Sequence, residues 1–195
     1  DWIQNLISDY KKGLNEKKLN LDDDYIKFIR YGQHFIDKNG SGVLAYISNN
    51  SFIDGITHRQ MRKELLTTFD KIYILDLHGN AKKKEVCPDG SVDQNVFDIM
   101  AGVSINIFIK KTQKKNLGTL MFAEKYGKRN IKYDFLTSNN ISSINWKKLK
   151  TSEPNYFFVY KNFKNKKEYD NGFKLDKLFI KNGTGFETQQ DNYVI

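Results

Sequence analysis

Two short stretches of this chain hold residues whose types and spacing could do chemistry. Asn95-Val96-Phe97-Asp98-Ile99 stands shortly before the apolar run 103–109. That places a lone aromatic at the mouth of a strand that reads as buried. A phenylalanine there either caps the core or offers its ring face to a cleft. Asn49, Asn50 and Ser51 leave a second apolar run, 43–47. Strand ends of this kind point into the crevice of an open α/β sheet, where amides shape a polar pocket. Side-chain capping of a turn accounts for them equally well. Lys82, Lys83 and Lys84 form either a phosphate-binding run or a solvated one. His34, His58 and His78 have no metal-ligand spacing and are assigned to structure. Cys87, the single cysteine, rules out an intrachain disulfide and a multi-cysteine zinc cage, and reads as an ordinary loop thiol.

These residues need elements to position them. Residues 2–12 have a weak helical pattern. Asp22-Asp23-Asp24 opens a clear helix: acidic residues in a first turn complement the helix dipole, and this outweighs a metal site. Tyr25, Phe28, Ile29, Gly32, Phe35 and Ile36 recur at helical spacing, which predicts an inward stripe. Gly40 and Gly42 stop that helix. Residues 43–47 and 71–77 predict strands, the first buried on both faces. A helix is expected over 57–69, with Met61, Leu65, Leu66 and Phe69 inward and Arg59, Arg62 and Lys63 outward. A long polar loop, 81–94, contains the turn Pro88-Asp89-Gly90. Further on, a short strand is expected at 120–123, short helices at 131–136 and 146–149, and an aromatic strand at 156–160. Helix, strand, helix, strand, long loop, strand is an α/β order.

At 195 residues, 39% hydrophobic and 14% aromatic, the chain has material for a real core. No apolar run approaches the roughly 18 residues needed to span a bilayer, and no signal peptide opens it. A cytoplasmic setting is expected. Charge is uneven. Residues 1–100 hold 14 Lys+Arg and 15 Asp+Glu, whereas residues 101–195 hold 18 and 8. A near-neutral half joined to a basic, aromatic-rich half suits a polyanion-facing surface, and a uniformly lysine-decorated exterior gives the same count.

Taken in order, several words resemble the later half of the gamma-type N6-adenine DNA methyltransferase domain. They are Asp22 to Arg30, Ile47-Ser48-Asn49-Asn50-Ser51-Phe52, Met61-Arg62-Lys63, Phe69 to Asn80, and Asn95-Val96-Phe97-Asp98-Ile99. The likeness is greatest to the methylase of single-chain restriction–modification enzymes of types ISP and IIG. The stretch 146–158 resembles that family's bridge toward its target-recognition domain. The resemblance implies transfer of a methyl group from S-adenosylmethionine to the exocyclic nitrogen of a flipped adenine in double-stranded DNA. It implies that Phe97 stacks on the target base and that Thr184 and Thr188, in the approach to the recognition domain, contact DNA. Asn49 and Asn50, from their place at a strand end, are the candidates to shape the base pocket, and Lys82, Lys83 and Lys84, from their place in the long loop, to contact DNA. No covalent intermediate is required, in keeping with an idle Cys87.

The chain departs from the family at its catalytic centre. Its only prolines are Pro88 and Pro154, so the family's Asn-Pro-Pro-Tyr turn is absent, as is a glycine-rich cofactor turn. No catalytic and no cofactor-binding residue is therefore assigned to this chain. The first residue is Asp1, and the expectation is an excised, inactive piece that partners the upstream half of the same polypeptide. The expected architecture is the second half of a Rossmann-like sheet, mixed, with its last strand antiparallel (residues 1–111). A small α+β bridge toward a target-recognition region follows (residues 112–195). A non-catalytic basic nucleic-acid-binding module is the alternative, and a small-molecule methyltransferase or other Rossmann-like enzyme is a third reading.

Overall fold

The computed structural model describes residues 2–16, 19–111, 116–173 and 175–178. Its contacts divide into two compact units, Asp1–Tyr160 and Lys161–Ile195. In the second unit the described elements are two short helices, α6 (Lys166–Asn171) and α7 (Leu175–Leu178).

The first unit is a mixed α/β layer. Its helices are α1 (Trp2–Lys11), α2 (Asp24–Asn39), α3 (Ser51–Asp54), α4 (Arg59–Thr68) and α5 (Arg129–Ser138). Its strands are β1 (Gly42–Asn49), β2 (Lys71–Asp76), β3 (Val103–Lys110), β4 (Thr119–Glu124) and β5 (Lys147–Leu149). The sheet order is β1-β3-β2-β4-β5. β3 runs antiparallel to both β1 and β2, and β4 runs parallel to β2. The carboxyl ends of β1, β2 and β4 therefore lie along one edge of the sheet, where ligands bind in open α/β folds. β4 and β5, which follow residue 112, belong to the same sheet as the earlier strands.

Alternation along the strands divides the core. Leu44, Ile72, Ile74, Phe108, Leu120 and Phe122 face α1, α2 and α4 and join Ile26, Ile29, Met61, Leu65 and Leu66 in the main core. On the other face Leu75, Val103, Ile105 and Ala123 meet Phe135, Leu136, Ile144 and Trp146. This second cover is partial: Val43, Ala45 and Ile47 of β1 are exposed. The expectation that β1 is buried on both faces fails here, because a continuous apolar run reports only what a strand could bury.

Other elements differ from expectation for similar reasons. In α2 the buried face is Ile26, Ile29, Arg30 and Gln33, whereas Phe28 and Phe35 are exposed. The close approach of α2 to β1 runs through Gly32, where an added Cβ would lie 2.8 Å from Leu44 Cδ1. Arg62, expected outward, is wholly buried. Its guanidinium donates to the carbonyls of Phe52, Gly55, Asn155 and Tyr156 and so anchors the segment after β5 to α3 and α4. That segment is irregular rather than a strand: Tyr156 is left-handed at φ 47°, and Phe158 N donates to Ile53 O. Residues 147–149 form a strand rather than a helix, because β4 offers them a free edge.

Candidate functional site

Two cavities open at the carboxyl ends of the parallel strands. The first, a shallow cleft of about 610 Å³, is lined by Phe97 together with Gly79, Asn95, Ile99, Met100 and Arg129, among others. Phe97 is 45% exposed, so its ring faces this cleft rather than the core. The loop that carries it is held at every side. Asn95 Oδ1 accepts from Phe97 N, and Asn95 Nδ2 donates to Gly79 O and Ala101 O. Gly79, left-handed at φ 79°, lets the chains meet: an added Cβ would lie 2.5 Å from Asn95 Cα. From α5, Arg129 donates to Asn95 O, Phe97 O and Asp98 Oδ1, and Tyr133 Oη donates to Val96 O.

Beneath the loop lies an ion pair whose two side chains are fully buried. Lys132 Nζ is 2.8 Å from Asp93 Oδ1 and also donates to Leu77 O and Gln94 O, both at 2.6 Å. Asp93 in turn accepts from the backbone N–H of Gly79 and of Gly127. All three ammonium protons and both carboxylate oxygens have partners, which is what makes a buried pair tolerable. The pair ties the end of β2, the residues before Phe97 and α5 into one piece.

The second cavity, about 260 Å³, lies among the ends of β1, β2 and β4 and is lined by Asn50, Asp76, His78, Glu85, Glu124 and Tyr126, among others. Asn50 Nδ2 donates to Asp76 Oδ1. His78 is left-handed at φ 52° and is 6% exposed. Its Nδ1 lies 2.8 Å from Glu85 Oε1 and 3.6 Å from Asp76 Oδ2, and its ring stacks on Tyr126 at 3.6 Å and 15°. Burial works against a charged imidazole, but Glu124, Glu85 and Asp76 outweigh it and push His78 up to about 9. Burial raises the Asp76 carboxyl, against the pull of His78 and Asn50. Among the described residues, no group of His, Cys, Asp and Glu has the makings of a metal site.

The residues singled out in the sequence are dispersed over these features. Phe97 lines the first cavity and Asn50 the second, so the structure does not bring them into one pocket. Asn49 Oδ1 accepts from Ser51 N and Oγ, which is turn capping. Lys82, Lys83 and Lys84 are exposed; the first two lie on a 3₁₀ turn (Ala81–Lys83) capped by Asn80 Oδ1 accepting from Lys83 N, Lys84 follows it in the left-handed region, and Lys83 lines the second cavity. Thr184 and Thr188 lie outside the described residues. Sequence reasoning missed Arg129, Lys132 and Asp93, and assigned His78 to structure. His78 alone carried a signal, in the dipeptide His78-Gly79 ending a strand.

Solved structures share this fold. The ATP-dependent Type ISP restriction-modification enzyme LlaBIII bound to DNA matches with a TM-score of 0.71 and 27% identity, over 84% of this chain and 11% of that one. A nuclease-deletion mutant of the Type ISP restriction-modification enzyme LlaGI, in complex with a DNA substrate mimic, matches at 0.70 and 24%, over 80% and 15%. The DrdV–DNA complex, determined by cryo-electron microscopy, matches at 0.69 and 24%, over 80% and 15%. This chain thus spans between 11% and 15% of the length of these neighbours. No family model and no curated protein matches it. No helix among the described residues is long and apolar enough to cross a membrane.

Proposed function

We propose that this chain is the later part of the methylating domain of a DNA restriction–modification enzyme, one that methylates the N6 amino group of a flipped adenine. The observation that carries the reading is the Phe97 ring, half exposed over a cleft at the carboxyl ends of the parallel strands and immobilised by Asn95, Arg129 and the Lys132–Asp93 pair beneath. The match to DNA-bound restriction–modification enzymes supports it. A base stacked on an aromatic gains about 1–3 kcal/mol, and a rigid ring loses little entropy in receiving it. Phe97 binds and orients the base; Lys82 and Lys84 are exposed and suit phosphate contacts.

S-adenosylmethionine supplies the methyl group in this reading, and the residues here do not make its cradle. β1 leaves through Asn49 and Asn50 into α3, and the glycine after β2, Gly79, has its open side filled by Asn95. The donor belongs with residues outside this chain. The same polypeptide would also cover the outer edge of β1 and the exposed Val43, Ala45 and Ile47, completing a Rossmann-like sheet and removing an aggregation-prone edge. Absence of the Asn-Pro-Pro-Tyr turn favours the second reading, a basic DNA-binding module with no chemistry.

The test is made in the longer protein. Phe97→Ala should lower methylation about 5- to 150-fold, the loss of one stack, while duplex binding changes little. Equal loss of both, or loss of neither, counts against base stacking.

A further inference from the structure

The loop that holds Phe97 out to solvent holds out two more apolar side chains. Ile99 is 49% exposed and Met100 57%, and both line the same cleft as Phe97. The loop is fixed through its backbone. Asn95 clamps both ends, accepting from Phe97 N and donating to Ala101 O. Between them Arg129 donates to Phe97 O, and Ala81 N donates to Met100 O at 3.0 Å. At the exit Asn50 N donates to Gly102 O. Every residue from Phe97 to Met100 is exposed, so the loop keeps its shape without burying a side chain of its own. A slack loop could fold such side chains inward. A pinned one leaves their hydration cost to be relieved by a partner. The bond from Ala81 to Met100 sets a cationic turn directly against this tip, since Ala81 opens the turn that carries Lys82 and Lys83, with Lys84 next, all exposed. The one carboxylate of the tip, Asp98, is paired with Arg129. An apolar tip flanked by cations fits a polyanion with an apolar interior, which is a nucleic-acid duplex.

We infer that Ile99 and Met100 form a wedge that enters the base stack of duplex DNA at the place the extruded base vacates. The inference rests on the flipping and stacking proposed at Phe97 and adds its other half: Phe97 receives the base, and its two loop neighbours fill the gap. Extrusion unstacks the bases on either side, and apolar side chains inserted between base steps recover part of that contact. Isoleucine and methionine divide the work, one stiff at its branched Cβ and the other unbranched and able to fill an irregular space. Three residues separate Phe97 from Met100, so at most about 11 Å of backbone lies between the stacking ring and the wedge. Both can therefore engage a single nucleotide site, with the lysine turn beside them on the phosphates.

The experiment compares Ile99→Ser/Met100→Ser with Phe97→Ala in the longer protein, on an intact duplex and on one with an abasic site in place of the target adenine. The abasic duplex offers the gap without a base to stack. The double variant should bind it about tenfold or more weakly than the parent, from the loss of two apolar contacts, and Phe97→Ala should bind it as the parent does. Methylation of a matched target should fall in both. Mispairing the target adenine makes extrusion cheaper, so it should restore much of the methylation in the double variant and little in Phe97→Ala. Unchanged binding of the abasic duplex by the double variant would overturn the wedge. A methylation loss that mispairing does not relieve would also overturn it, by making Ile99 and Met100 walls of the base pocket. So would a lower unfolding midpoint of the longer protein in the double variant, which would show another part of the polypeptide covering them. Weakened abasic binding in the double variant with normal methylation in Phe97→Ala would keep the wedge and refute the stacking. A longer protein that binds neither duplex refutes both.

Discussion

Replacing Lys132 by methionine tests the load carried beneath the Phe97 loop. The substitution keeps the length and apolar stem of the side chain and removes only the ammonium. Three acceptors then lose the ammonium at once: Asp93 Oδ1, Leu77 O and Gln94 O. Asp93 keeps the N–H groups of Gly79 and Gly127, but its charge stays buried without a counter-ion. Removing one partner of such a pair costs about 3–5 kcal/mol, against a total stability of about 5–15 kcal/mol for a domain. At a urea dependence of about 2 kcal/mol per molar, the midpoint of unfolding falls by about 2 M. The assay is urea denaturation of the full chain followed by circular dichroism. The double variant Lys132→Met/Asp93→Asn removes the uncompensated charge, so its loss should be smaller than the sum of the two single losses. A loss below about 1 kcal/mol in Lys132→Met, or strict additivity in the double variant, would show that the pair does not hold the loop as argued.

Further outcomes follow from the same contacts. Phe97→Ala should change global stability by less than about 1 kcal/mol, because the ring is half exposed; a larger loss in the same urea assay would make Phe97 a core residue. Arg62→Met should destabilise the chain by at least about 2 kcal/mol, since four carbonyls lose a buried charged donor, and limited proteolysis should then open the segment around Asn155 first. Cleavage elsewhere with 155 still protected would contradict that anchoring. His78 has a folded-state pKa above its ordinary value of 6.5, so its stabilising contribution is complete below about pH 6.5 and is lost as pH rises through about 9. The full effect is on the order of 3 kcal/mol, and His78→Asn, which tolerates the left-handed backbone, should flatten the slope of stability between pH 7 and 9. An unchanged slope in that variant would show that another group titrates there.

How much of this was legible in the chain depends on the kind of information each feature needs. The helix at Asp24–Asn39 and the strands at Lys71–Asp76 and Val103–Lys110 follow from local pattern: hydrophobic period, an acidic first turn, and a left-handed Gly40 whose N–H closes the helix on Ile36 O and Asp37 O. The turn that carries Phe97 also has a local cause, since Asn95 folds its own side chain back to accept from Phe97 N. Burial of individual side chains was less accessible. Phe28 and Phe35 have the right spacing for a core stripe and lie outside, while Arg62, expected outward, is wholly buried, as is Lys132, which no local pattern marks. A long cation is buried only where several carbonyls happen to converge, and convergence is a property of distant segments: residue 132 meets 77, 93 and 94, and residue 62 meets 52, 55, 155 and 156.

The amino-acid order alone therefore determined most of the element types before residue 112, the mixed α/β character, and the placing of an aromatic and two amides at strand ends, because these depend on neighbours within a turn or two. At 147–149 and 156–160 a neighbouring edge and a buried Arg62 overrode the local pattern. Tertiary structure alone decided that Asn50 and Phe97 open into different cavities, that β1 leaves one face bare, and that an isolated histidine sits among three carboxylates. Each of those facts is a distance between parts of the chain far apart in sequence, and such distances are set only when the sheet has chosen its strand order and the helices have chosen their face.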